Sequence, residues 1–324
     1  MVPLLVIWTA LIVVMRWFVP VEVVHAGAMA ATVPLWFMAV YLVLTAVAPF
    51  TFRWWRAAGL GSVAVLAAGA VAVDVIRFVG GVGGTGFLNF LLVWGAVHQI
   101  GYWWAARDKS GRPIPPRRGA LVASGALALL VAVTWIGWYP VAMIGVPGAG
   151  PTNMTPPTAA IGLLGVAQAG VIWWTAGPVA RVAARPGLWR AAVAVSGVIL
   201  TLYLWHLTAM ALVGAVGLFA FDGIAYSIEP GTTAWWLTRP LWVAVLATVT
   251  IALVAVFAPF EWRISRARAP NRVGVVVAGV VLAAAASAAV AWYGLGSPSG
   301  EIHWVIPAAA LLGAALMGAV PDRS

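Results

Sequence analysis

The chain has 324 residues, 64% of them hydrophobic and only 8% charged, with a formal charge of +10 and a pI near 11.2. A soluble domain carries about 25% charged residues, so this composition excludes a water-facing globular surface, and the absence of cysteine excludes thiolate catalysis, disulfides and cysteine-ligated metals. The basic residues are scattered through short segments between apolar runs, with no basic groove or soluble module, which argues against nucleic acid and for anionic lipid headgroups as their partners.

Apolar runs long enough to cross roughly 30 Å of hydrocarbon are predicted near residues 2–19, 31–50, 57–76, 87–106, 119–138, 157–177, 191–219, 235–258, 273–294 and 303–320. They predict an all-α fold: a polytopic transmembrane helical bundle of about ten spans, forming a single membrane domain over residues 1–324 with the lipid bilayer as its partner. Period-two alternation is missing, which argues against a membrane β-barrel.

The first run resembles a signal-peptide core, with Ala26-Gly27-Ala28 placed like a cleavage site. No basic residue precedes it and Arg16 and Glu22 interrupt the approach, so a retained helix is expected. The third run carries Asp74 and Arg77, three apart and expected to satisfy each other on one helix. After it, Gly81-Val-Gly83-Gly84-Thr-Gly86 matches a dinucleotide-binding glycine pattern, but it follows a membrane helix rather than a strand and reads as a turn. The fourth run holds Asn89, His98 and Gln99. The segment Tyr139 to Pro157 is apolar yet broken by Pro and Gly, so it is expected to pack in or over a cavity as a lid or re-entrant loop, with Asn153 its one amide side chain. Gln168 lies in the sixth run. The seventh contains Tyr203-Leu-Trp205-His206-Leu-Thr208.

Arginine and lysine alternate along this parse. Arg53 and Arg56; Arg107, Lys109, Arg112, Arg117 and Arg118; Arg181, Arg185 and Arg190; and Arg263, Arg266, Arg268 and Arg272 follow the second, fourth, sixth and eighth runs. The positive-inside rule then puts both termini in the cytoplasm of a plasma-membrane protein. Most of the 20 tryptophans fall near helix ends, as an interfacial belt requires.

A charged group near the bilayer centre is unfavourable by about 2.5–3.5 kcal/mol, so each polar group inside these runs needs a partner or a cavity. The topology places His206, Arg16, Arg77, Asn89 and the Asn153 loop toward the outer face and His98 near mid-membrane. A neutral imidazole accepts a hydroxyl proton near neutral pH, which is what O-acylation asks of a general base; simple interhelical hydrogen bonding is the alternative for both histidines. The histidines show no metal-ligand spacing.

Several segments together resemble the acyltransferase-3 family of membrane proteins: Pro34-Leu-Trp36-Phe37-Met-Ala-Val-Tyr41, Trp94-Gly-Ala-Val-His98-Gln99-Ile-Gly101-Tyr102, the Tyr139–Pro157 loop, and Tyr203-Leu-Trp205-His206-Leu-Thr208. The likeness covers most of residues 30–260 and is nearest to the actinobacterial branch. It implies an enzyme that moves an acyl group from acyl-CoA, a donor substrate rather than a bound cofactor, to a hydroxyl of a carbohydrate, glycolipid or other cell-envelope acceptor. On that expectation His206 and His98 are catalytic, and Arg16, Arg77, Asn89, Asn153, Gln168, Tyr203 and Trp205 bind substrate. The family's own catalytic histidine follows an arginine on a first membrane helix. Arg16 and His25 repeat that order, but Pro20 and Glu22 fall between them and His25 is predicted in a loop, so the order reads as coincidence and the opening spans as missing. The alternatives are a catalytically inactive scaffold of the same fold and, with no internal repeat to support it, a transporter.

Overall fold

The computed structural model describes residues 1–144, 152–221, 228–265 and 272–318, with side chains up to residue 260 in the third stretch. Among them the architecture is all-α: α1 (Val2–Met15), α2 (Val21–Thr32), α3 (Leu35–Ala58), α4 (Leu60–Phe78), a 3-10 turn at Gly83–Leu88, α5 (Asn89–Lys109), α6 (Pro116–Trp135), α7 (Ala159–Ala183), α8 (Pro186–Ala220), α9 (Thr233–Ser265), α10 (Val273–Tyr293) and α11 (Val305–Leu316). The central part of the predicted lid, 145–151, and the predicted loop arginines Arg266 and Arg268 lie outside the described residues.

Among the described residues, seven stretches are long and apolar enough to cross a membrane, where the sequence predicts ten. The remaining three positions are helical, but α1 and α11 have 14 and 12 residues, rising only about 21 and 18 Å. The 21 residues of α5 have the length, but Asn89, His98 and Gln99 dilute their hydropathy. One boundary is corrected outright: residues 21–30, expected as a loop before the second run, are helical within α2. Pro20 sits at its N-cap, where a missing N–H costs nothing, and Glu22 occupies the first turn, where a carboxylate meets the positive end of the helix dipole.

The chain folds as two compact units, Met1–Val43 with Ala191–Ser324, and Leu44–Arg190. In the first, Leu4, Leu5, Trp8 and Ile12 put one face of α1 against Ala28 and Ala31 of α2, Leu204 and Trp205 of α8, Val290 of α10 and Ala310 of α11. Trp8 Nε1 donates to Thr208 Oγ1 at 3.0 Å, tying α1 to α8. In the second unit, α6 and α7 approach until a Cβ on Gly119 would lie 2.5 Å from Trp174 N and one on Gly170 2.5 Å from Ala123 N. Lipid tails are as apolar as leucine, so such close backbone contact, rather than exclusion of water, holds the pair together.

Candidate functional site

His206 lies on α8 in the first unit, half-buried. Its Nδ1 is 2.6 Å from Tyr203 O. A carbonyl only accepts, so Nδ1 is the donor in this contact, and Nε2 is the ring nitrogen left to carry a lone pair when the ring is uncharged. The bond runs back along the helix to the carbonyl three residues earlier, fixing the ring's direction. Tyr203 packs edge-on to Phe37 with centroids 5.0 Å apart and lies beside the imidazole at 5.7 Å. Trp205 points elsewhere: it is 1% exposed and stacks flat on Phe257 at 3.7 Å, a core contact.

Arg16 and His25, nine positions apart in sequence, line one small recess with Met29, Ser297 and Gly300. His25 stands on α2, not in a loop. The helix break at residues 16–20 is what lets α2 fold back so that both side chains reach the same space. The structure thus gives the arginine-then-histidine order a shared location that spacing along a single helix did not provide.

The second unit holds a polar cluster at one end of α4. Asp74, 2% exposed, accepts hydrogen bonds from Asn89 Nδ2 at 2.8 Å, Tyr139 Oη at 3.0 Å and the backbone N–H of Ala159 at 2.7 Å. The last of these is the first residue of α7. Its N-cap, Thr158, makes no side-chain cap; its hydroxyl donates to Asn153 Oδ1 at 2.7 Å. Asp74 therefore caps α7 from another helix, a favourable place for a carboxylate. Arg77 does not hydrogen-bond Asp74, contrary to the intrahelical pair expected from sequence; its Nη1 donates to Pro156 O at 3.4 Å. Asn153 donates to Pro140 O and Ala142 O, so its amide staples the loop to itself. Burial first, then the Asp74 carboxylate, pushes the Tyr139 hydroxyl above the ordinary tyrosine value near 10.

This cluster brings together Arg77, Asn89 and Asn153, three of the residues predicted to bind substrate. It also contains Asp74, Tyr139 and Thr158, which sequence reasoning did not place with them. The available signal was a carboxylate inside an apolar run, but the nearby arginine diverted it to an intrahelical pair. The glycine pattern belongs here too. A Cβ on Gly86 would lie 3.0 Å from both Arg77 Cδ and Pro156 Cγ, so the turn packs closely against the cluster at this position.

His98 packs edge-on to Tyr102 at 4.7 Å, and the neighbouring Gln99 donates from Nε2 to Thr51 O at 3.2 Å while its Oε1 is buried without a partner. Gln168 lines a groove between α6 and α7. His206 and His98 belong to different units, and neither lines the groove or the recess.

An acyltransferase-domain family model matches residues 1–259. The chain belongs to the acyltransferase-3 family. No curated protein and no solved structure matches it. This is therefore an integral, multi-pass membrane protein of a transferase family. The matched region of the acyltransferase includes Arg16 and His25, the Asp74 cluster and the Tyr203–His206 segment, while Ser297 and Gly300 of the recess lie beyond it.

Proposed function

We propose that this acyltransferase moves an acyl group from acyl-CoA to a hydroxyl of a carbohydrate or other cell-envelope acceptor. The observation that carries the reading is the contact of His206 Nδ1 with Tyr203 O. With Nδ1–H held by Tyr203 O, Nε2 is the ring atom able to take a proton. His206 Nε2 removes the acceptor hydroxyl proton as its oxygen attacks the thioester carbonyl. The C–O bond forms, the C–S bond breaks, and the proton passes to the departing CoA sulfur. Tyr203 orients the imidazole, and Trp205 supports it from the core. Separately, in the second unit, Arg77 binds a polar group of substrate, with Asn89 and Asn153 acting through Asp74 and the loop, and His98, with Tyr102 beside it, is assigned as a base there.

A second assignment within the same chemistry rests on its own observation. Arg16 and His25 share a recess and follow the order in which the family's arginine and catalytic histidine occur. Here His25 is the base and Arg16 the oxygen-stabilising cation.

Because the chain has no cysteine, CoA release can be followed with a thiol reagent without protein background. The purified protein, given acyl-CoA and a membrane glycolipid extract, should release CoA. His206→Ala should lower the rate at least about tenfold. Full turnover in His206→Ala with loss in His25→Ala transfers the base role to the recess. An intact, folded protein that releases no CoA across short- and long-chain donors supports the non-catalytic scaffold instead.

A further inference from the structure

The lipid-facing flank of the α6/α7 pair carries a groove of about 1050 Å³ that the proposed reaction leaves unused. Its walls are Leu121 and Leu127 of α6 and Leu164 and Gln168 of α7, with Arg117 and Trp174 also lining it. The helices run antiparallel, with Gly119 against Trp174 and Gly170 against Ala123. Arg117 and Trp174 therefore share one end, and Leu127 and Leu164 the other. Leu121 is 71% exposed and Leu127 52%, so the groove opens sideways along its length.

From Arg117 to Leu127 the helix rises about 15 Å, half of a hydrocarbon layer of roughly 30 Å. The groove is one leaflet deep. Its head is cationic: Arg117 and Arg118 are exposed, and the segment leading to them holds Arg107, Lys109 and Arg112 against the single acid Asp108. Trp174 at the same end is amphipathic and exposed, as a side chain at headgroup level is. We propose that this groove seats one acyl chain of an anionic phospholipid, with Arg117 pairing its phosphate. Sideways opening, single-leaflet depth and positive charge at the interfacial end together match a lipid that enters from the bilayer.

The test places the full-length protein in nanodiscs containing phosphatidylglycerol or phosphatidylcholine with a diazirine in one tail, followed by photolysis and peptide mapping. Phosphatidylglycerol should label the α6/α7 peptides about fivefold more than phosphatidylcholine, the effect of one basic contact near the surface. Arg117→Gln should erase that preference, and Ser124→Phe, which fills the groove from an exposed position, should bring both lipids down to the labelling of α9. Equal labelling by the two lipids overturns the headgroup contact, and labelling untouched by Ser124→Phe overturns the groove. Displacement of phosphatidylglycerol by micromolar palmitoyl-CoA also overturns the proposal, since the occupant would then be a water-borne thioester.

Discussion

Asp74 shows how a single side chain can organise a membrane protein's polar interior. An unpartnered carboxylate in hydrocarbon is strongly unfavourable, yet here three donors from three parts of the chain converge on it. Asp74→Ala strands all three and should lower stability by about 3 kcal/mol. Asp74→Asn should be milder, because the amide oxygen still accepts. In a thermal-unfolding cycle with Asn89→Ala, the double variant should lose less than the sum of the single losses. Tyr139 supplies a pH test. Its hydroxyl pKa is raised in the folded state, so the folded protein holds that proton where the unfolded chain releases it. Its contribution is full below about pH 10 and is lost as pH rises above that value. Tyr139→Phe should flatten the alkaline limb of a stability profile and leave the neutral region almost unchanged in slope.

At the scale of helices, close approach replaces the hydrophobic effect as the source of specificity. Gly119 and Gly170 have no room for a β-carbon against the facing backbone. Gly119→Leu or Gly170→Leu must push α6 and α7 apart, and should lower the thermal midpoint sharply, by an equivalent of about 3 kcal/mol or more. Gly125 lies on the same α6 with open space around its Cβ position. Gly125→Ala should therefore be neutral or stabilising by up to about 1 kcal/mol. If all three variants unfold alike, the contact does not hold the pair. The α6/α7 crossing also fixes the shape of the lipid-facing groove, so a spread pair should lose its lipid labelling as well.

For the whole molecule, the arginine-rich turns and the helix order make one topological prediction. Ser110 sits between α5 and α6, and Ser299 between α10 and α11. The chain's lack of cysteine makes single-cysteine variants unambiguous. Ser299→Cys should react with an impermeant maleimide in intact cells, and Ser110→Cys only after permeabilisation. The opposite pattern inverts the bundle. Reaction of both in intact cells would mean that an odd number of crossings does not separate them.

The helices and their approximate positions were legible in the amino-acid order because hydrocarbon imposes length and apolarity on any crossing segment, and ten predicted runs coincide with helical segments. Residues 21–30 escaped that reading: a short helix between breaks has no length rule to reveal it. The family was legible as well, since the Trp94–Tyr102 and Tyr203–Thr208 segments carry it locally. Partnership was not. Asp74 and Arg77 are three residues apart, yet their side chains serve Ala159 and Pro156, more than seventy positions away. Arg16 and His25 share a recess only because the chain turns at Pro20. Spacing along one helix determines which side chains share a face; which groups satisfy a buried charge depends on how the other helices and loops pack around it, and only the tertiary structure decides that.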